Sequence, residues 1–512
     1  MQHDPVNIAQ AQALHPNWRQ DDTILARLAQ NAAEVPNQVA MRERDHGIWQ
    51  EYTWADYLRA VVEFAAGLEA RGVKPGDVVM VIGDNRPNLY FAMLGAACLR
   101  AIPSPAYADA PTEELAAQME REDIRVAVAE DQEQVDKVIE AEETDHTVDQ
   151  ILYTDKRGMR KYDHSRMNWL SDVQAEGRAA EQRLSGELEA RMAELDYDST
   201  CVMLYTSGTT GKPKGVVLSN RNVIETARAS SEFDKLKPTD EVLAYLPMAW
   251  VGDFIFSVGA AMELRFTVNI PEANETALHD LREMAPTLYF ASPRAWSAML
   301  TRVQVGIAET TGLKRRLYDY FMPRAMEAER ARLDGKPVGG GLTRFLGEWL
   351  IYGPIRDQLG LGRVKRAYTA GEAIGEDVFL WFRAIGLNLR QFYGQTENCA
   401  LAVAQKPEDI SLTTVGRPFP GVEMKIDEHG EILLRGDNIF DGYFQNPKAS
   451  AEALQDGWLH TGDAGQIEPD GQLVVLGRVS EVVEKRDGTR FIATYIENRL
   501  KFSAYIKDAA VI

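Results

Sequence analysis

Apolar positions recur at helical spacing over residues 24–34 and 54–72, and Thr53 and Gly72 bracket the second segment. DVVMVIGD (77–84) predicts a buried strand that closes on a turn. NLYFAMLGAACLRAIPSP (88–105) predicts a packed helix followed by a proline-rich stop, and RVAVAED (125–131) another strand. Strands alternating with helices imply a parallel, doubly wound sheet, on which ligands bind beyond the carboxyl ends of the strands. Residues 174–199 are charged and helix-prone, a surface helix or a linker. VMLY (202–205) predicts a strand, and EVLAYLP (241–247), TLYFASP (287–293) and RAYTAGEA (366–373) predict strand-to-loop junctions. The charged stretch 301–362, with its GGG turn at 339–341, is expected to be mostly helical.

After residue 410 the pattern shortens into Gly-rich alternating segments, as in a small antiparallel β unit. QLVVLGR (472–478) adds one more strand. Beyond it the pattern predicts a turn, a helix at about 493–503 and the opening of a strand. The expected fold class is α/β: a large N-terminal domain (1–478) of doubly wound sheets, including a small antiparallel β unit (about 410–478). Residues 479–512 would be a hinge and the start of a small α+β C-terminal domain.

The chain has 512 residues, enough for two to four structural units, and 45% of them are hydrophobic. A formal net charge of −21 disfavours nucleic acid and anionic surfaces in general. An anionic ligand would need local devices against that field: a backbone nest, a lysine or a metal ion. The three cysteines, Cys98, Cys201 and Cys399, lie too far apart for metal-ligand spacing or a disulfide framework. Cys399 is expected to be a small packing residue. Few cysteines, no signal peptide and no 18-residue apolar run favour a cytoplasmic chain without a transmembrane segment. Peripheral membrane contact and oligomeric state stay open.

One segment stands out: LYTSGTTGKPKG (204–215), whose TSGTTGKPKG part packs three glycines, four hydroxyl side chains and two lysines between strand-like runs. A solvated turn needs one or two glycines. Successive backbone N–H groups in a glycine loop form an anion nest, lysines add charge, and hydroxyls add donors to phosphate oxygens. The loop therefore points to phosphate, although a plain turn remains the alternative. It is not a Walker A loop, because Pro213 follows Lys212.

TSGTTGKPKG (206–215) resembles the signature of the adenylate-forming superfamily of acyl-CoA synthetases, peptide-synthetase adenylation domains and luciferases. AGEA (370–373), YGQTE (393–397), GYFQNP (442–447), GWLHTGD (457–463) and GR (477–478) resemble its further motifs, in the family's order and over nearly the whole chain. The resemblance implies ATP, Mg²⁺ and coenzyme A as cosubstrates and cofactor. Thr206, Ser207, Gly208, Thr209, Thr210, Gly211 and Lys214 would cradle the β- and γ-phosphates. Thr396 would bond the α-phosphate and Glu397 would hold Mg²⁺. Gly371, Glu372 and Ala373, with Tyr393 and Gly394, would line the adenine slot. Asp463 would accept from the ribose hydroxyls, with Arg478 beside it. Lys214, Thr396 and Glu397 would be the catalytic residues. The chemistry fits, because a carboxylate attacking the α-phosphorus needs its charge repulsion neutralised.

YLPMAWVGDFIFSVGAAM (245–262) occupies the place of the family's acyl pocket, with Trp250 and Phe254 as pocket or CoA-gate residues; a plain hydrophobic core is the alternative. Asp253 is expected to be a turn or cap residue. The 301–362 insertion resembles that of long-chain acyl-CoA synthetases, while arylacetate ligases share the general pattern. The implied activity is AMP-forming ligation of a hydrophobic acid, fatty or aromatic, to CoA. The alternative is an acyl-AMP ligase that passes the acyl group to a carrier protein. The partners are then small molecules, not nucleic acid. Ser480 sits at the family's hinge position. Only 34 residues follow Arg478, so the family's C-terminal lysine has no counterpart here. The expectation is a truncated C-terminal domain, with slow adenylation and poor transfer to CoA.

Overall fold

The computed structural model describes residues 22–142, 148–206, 213–484, 490–501, 506 and 509–511. The chain divides into two compact units: Met1–Met41, Glu51–Ala227 and Leu246–Arg265 in the first, and Arg42–Gln50, Arg228–Tyr245 and Phe266–Ile512 in the second.

The first unit is built on a parallel five-stranded sheet. In sheet order its strands are Ile102–Ala106, Val78–Ile82, Val126–Ala129, Gln150–Tyr153 and Met167–Trp169. Val78–Ile82 is buried at every position, which explains its unbroken apolar run. The expected proline-rich stop at 102–105 is a strand instead. The helix Pro87–Cys98 ends, Arg100 takes a left-handed backbone, and the chain turns straight into Ile102–Ala106. Prolines 103 and 105 survive there because the strand lies at the sheet edge, where a missing N–H costs no ladder bond. The helix Trp54–Ala70 starts on a capping box made by Thr53 and Asp56. The charged stretch near 174–199 is the helix Leu170–Ala193, packed against it rather than a linker. Gly177 makes that approach possible, since a Cβ there would lie 1.8 Å from the Glu63 carbonyl oxygen. Glu63, itself buried, accepts from Arg178 and Gln174 on the same helix.

The second unit carries a run of sheet-ordered strands: Arg417–Pro418, Val403–Ala404, Leu389–Tyr393, Arg366–Thr369, Leu288–Phe290, Glu241–Leu243 and Thr267–Ile270. The last five are mutually parallel. Trp296, Phe379 and Phe382 belong to a buried cluster formed with Leu361 and Leu389. As expected, 301–362 is helical, comprising Pro293–Ala308 in part, Gly312–Leu333, Gly341–Gly347 and Gly353–Gln358, with a π-helical segment Glu348–Tyr352 between the last two. The region after 410 forms an antiparallel sheet of Glu423–Ile426, Glu431–Arg435, Trp458–Ile467 and Leu454–Gln455, with Leu473–Arg478 paired to Trp458–Ile467. Beyond 478 a two-stranded ladder pairs Val482–Glu484 with Arg490–Ile492, the turn expected between them lies outside the described residues, and the helix follows at Ala493–Lys501. The strand expected at the end is not formed at 509–511; the other residues of that stretch lie outside the described ones.

Candidate active site

In the first unit, strands Thr200–Tyr205 and Gly215–Ser219 form an antiparallel hairpin whose tip is the Gly/Lys loop. The loop's base is fixed. Thr206 N–H donates to the Lys214 carbonyl at 3.2 Å, and Lys214 N–H donates to Thr206 Oγ1 at 3.4 Å. Ser207, Gly208, Thr209, Thr210 and Gly211 lie outside the described residues. Arg121 brackets both ends of the loop. Its guanidinium donates to the Pro213 carbonyl and sits 5.7 Å from the centre of the Tyr205 ring. Sequence reasoning missed Arg121, which is ninety-two positions from Pro213 and in no motif.

The same unit holds Trp250, Asp253 and Phe254. Trp250 is half-buried and precedes the short helix Val251–Phe254, which continues as a π-helix over Ile255–Ala260. π-helical turns recur where a helix must aim side chains at a site. The Trp250 indole lies against Gly252, where a Cβ would come within 2.0 Å of the ring. Phe254 is buried at 2% exposure. Asp253 is not the turn or cap residue expected. It is buried, accepting from Tyr90 Oη at 2.7 Å and from Asn85 Nδ2 and Ser257 Oγ at 3.3 Å each. Burial drives its carboxyl up to about 7, and the three hydrogen bonds oppose the rise without cancelling it.

The second unit brings together the larger group. Tyr393 is the last residue of the parallel strand Leu389–Tyr393, so it stands at a carboxyl end, as expected for a ligand site. Gly394 follows where nothing larger fits, since a Cβ would meet the Ala400 carbonyl oxygen at 1.8 Å. The chain then makes a 3₁₀ turn, Thr396–Asn398, and passes through two left-handed residues, Cys399 and Ala400. Such consecutive positive φ values are strained for side-chain-bearing residues and persist only where the surroundings hold them. Here Asn438 Nδ2 donates to the carbonyls of Asn398 and Leu401, both at 3.2 Å. Cys399 is buried in this turn, as the packing role requires.

Asp463 gathers the group. Its Oδ2 accepts from Tyr393 Oη at 2.7 Å and from Gln395 Nε2 at 2.5 Å, and its Oδ1 lies 3.2 Å from Arg478 Nη1. The antiparallel ladder fixes the last pair, because Asp463 and Arg478 are register partners. Gln395 also donates to the Thr461 carbonyl at 2.8 Å. Burial raises the Asp463 carboxyl above its ordinary range, although Arg478 pulls the other way. Burial, then the Asp463 charge, raises the Tyr393 hydroxyl far above its usual value, so it stays a donor. Glu397 is half-buried and its Oε1 accepts from Tyr443 Oη at 2.8 Å. Among the described residues its Oε2 accepts no hydrogen bond. Thr396 is half-buried beside it.

Gly371, Glu372 and Ala373 form an exposed loop just past the strand Arg366–Thr369. Gly371 has φ +91°, which its lack of a side chain permits, and Glu372 is 3.3 Å from Arg294. Ser480 is exposed in the 3₁₀ turn Val479–Glu481, directly after Arg478. Gln395, Tyr443 and Thr461 were within the quoted motifs but had no assigned part. Their position inside those strings was the available signal.

Residues 28–444 match the model of the AMP-binding enzyme family, and the chain belongs to that family. It is 26% identical to the long-chain-fatty-acid–CoA ligase FadD15 of Mycobacterium bovis, over 96% of this chain and 80% of that one. It is 27% identical to the long-chain-fatty-acid–CoA ligase ACSBG1 of Mus musculus, over 91% of this chain and 65% of that one. The fold is similar to that of the anthranilate CoA ligase AuaEII in complex with anthranoyl-AMP, with a TM-score of 0.73 at 18% identity over 97% of this chain and 85% of the other. No helix among the described residues is long and apolar enough to cross a membrane.

Proposed function

We propose that this protein is an AMP-forming acid–CoA ligase acting on long-chain fatty acids. Family membership and the names of the full-length relatives support the reaction class and the substrate. The observation that carries the reading is the Asp463 centre. A partly desolvated carboxylate is held by Tyr393, Gln395 and Arg478 at a strand's carboxyl end. A carboxylate so placed accepts from two adjacent hydroxyls, as a ribose presents. Each such charge-assisted bond contributes roughly 1.5–3 kcal/mol.

In this reading Thr206 and Lys214 hold the β- and γ-phosphates together with Ser207, Gly208, Thr209, Thr210 and Gly211. Gly371, Glu372, Ala373 and Gly394 bound the adenine. Thr396 donates to the α-phosphate. Glu397 suits a divalent cation, because Tyr443 fixes one carboxylate oxygen and the other stays available. Magnesium there would offset the charge on the leaving pyrophosphate. The fatty carboxylate attacks the α-phosphorus, pyrophosphate leaves, and the acyl-adenylate then passes its acyl group to the thiol of CoA with release of AMP. Trp250 and Phe254 border the acyl path, Ser480 sits at the hinge, and residues 479–512 comprise that hinge and the start of a small C-terminal domain.

The test is fatty-acid-driven ATP–pyrophosphate exchange, followed by detection of AMP and a CoA thioester. Palmitate should drive exchange, and Glu397→Ala should abolish it while leaving the circular dichroism spectrum unchanged. Absence of exchange with every acid in a panel of palmitate, octanoate, phenylacetate and benzoate would refute the reading.

A further inference from the structure

The helical insertion of the second unit turns its apolar stripe outward. On the helix Gly341–Gly347 and its π continuation, Leu342, Phe345, Leu346, Trp349 and Leu350 recur at positions i, i+3, i+4, i+7 and i+8. Such spacing puts them on one face. That face should be the packed one, yet Leu342 and Trp349 are each 72% exposed and Phe345 is 60% exposed. The packed side holds Gly347, Ile351 and Tyr352, with Tyr352 Oη donating to the Phe321 carbonyl at 3.1 Å. On the helix Gly312–Leu333, Leu313 is 70% exposed and Tyr320 48% exposed. Exposed apolar groups in such number mark an interaction surface.

The charge around this surface says what covers it. The whole chain carries −21, but residues 301–350 hold nine Lys and Arg against six Asp and Glu. Lys314, Arg315 and Arg316 follow Leu313 and are exposed, and among the described residues none of them forms an ion pair. The Arg324 guanidinium lies 3.8 Å from the centre of the Tyr320 ring. Aromatic and leucine side chains flanked by unpaired cations match a bilayer surface with anionic headgroups, where the apolar face sinks roughly 5–10 Å and the cations meet phosphate. A second copy of the chain fits badly, because self-pairing would set Lys314, Arg315 and Arg316 against their own counterparts.

We propose that the exposed apolar side chains of this helical insertion, Leu313 and Tyr320 on one helix and Phe345 and Trp349 on the other, dock the protein on anionic phospholipid bilayers. The binding stands apart from the ligase reading, which only gives it a use, since a fatty acid partitions into the same bilayer.

The experiment is flotation of the full chain with vesicles of phosphatidylcholine alone or with about 30 mol % phosphatidylglycerol, without substrates. The wild type should float with the anionic vesicles and be largely released by added salt. Phe345→Glu/Trp349→Glu should lower the bound fraction at least tenfold with an unchanged melting temperature, because both side chains are exposed. Lys314→Glu/Arg315→Glu should weaken binding by roughly fivefold or more per residue. Brominated lipid should quench wild-type tryptophan fluorescence and leave Trp349→Phe nearly unquenched. No flotation with anionic vesicles would overturn the proposal, as would equal flotation of Phe345→Glu/Trp349→Glu. Self-association that this variant abolishes, without vesicle binding, would assign the face to a second copy and equally overturn it.

Discussion

Two of the arginine–aspartate pairs in the second unit differ sharply in access to water. Arg390 is fully buried beneath the sheet, donating to Asp234 at 2.6 Å and to Tyr368 Oη at 3.0 Å. Arg478 keeps 40% of its side-chain surface exposed, 3.2 Å from Asp463. The sealed pair is closed off from solvent, so it holds the fold and offers no ligand a way in. The open pair combines a partly desolvated carboxylate with an arginine at its mouth. Similar residues become structure in one place and a candidate site in the other because of what closes over them.

That contrast breaks or sharpens at four points. The largest effect is expected from Arg390→Met. Removing one partner of a buried pair costs roughly 3–5 kcal/mol, offset only in part here by Arg366, 3.7 Å from the Asp234 carboxylate. Chemical denaturation would show it, and an unchanged midpoint would end the distinction. Asp463→Asn comes next. It keeps the shape and one acceptor oxygen but gives up charge, so ATP affinity should fall about 10- to 150-fold, while the denaturation midpoint moves little. Calorimetric titration with ATP measures the first part.

Asp253 supplies a pH test of burial without an arginine. Its carboxyl is raised by burial to about 7 in the folded chain, from the ordinary 3.8. The folded state therefore favours the protonated form. This contribution is fully present below about 4 and is lost as pH rises through 7. The slope approaches ~1.4 kcal/mol per pH unit between those values. Asp253→Asn should remove that loss, and identical pH–stability curves for the two proteins would contradict it. The smallest effect is expected for Arg478→Gln, whose exposed pair contributes about 0–1 kcal/mol to stability. Its effect should appear in exchange kinetics instead of the melting temperature.

Much of this arrangement was legible in the sequence because the motifs fall where strands end. YGQTE begins on the final residue of a parallel strand, and GWLHTGD runs into the strand that meets Arg478. What escaped detection depends on distant partners. Tyr90 lies 163 positions from Asp253, and no local pattern joins them. The strand Ile102–Ala106 escaped because its prolines argue against a strand until its edge position is known. The charged stretch 301–362 is expected to be mostly helical, but that expectation leaves open which side of each helix faces outward. Only the packing of Ile351 and Tyr352 decides that.

The ladder that pairs Asp463 with Arg478 also sets how this protein can vary. Side chains alternate across a strand with a period of two, so a slip of one residue sends every one of them to the opposite face. Between Asp463 and the end of the ladder, at Ala464 and Gly465, the register already shifts once. A further single-residue insertion between Trp458 and Asp463 would point the carboxylate away from Tyr393 and Gln395 altogether. No graded weakening lies between those two states. The helical insertion, whose outer residues only have to be apolar or basic, can lengthen and shorten freely by comparison. Over generations the chain should therefore change length at residues 301–362 and keep count at 458–478.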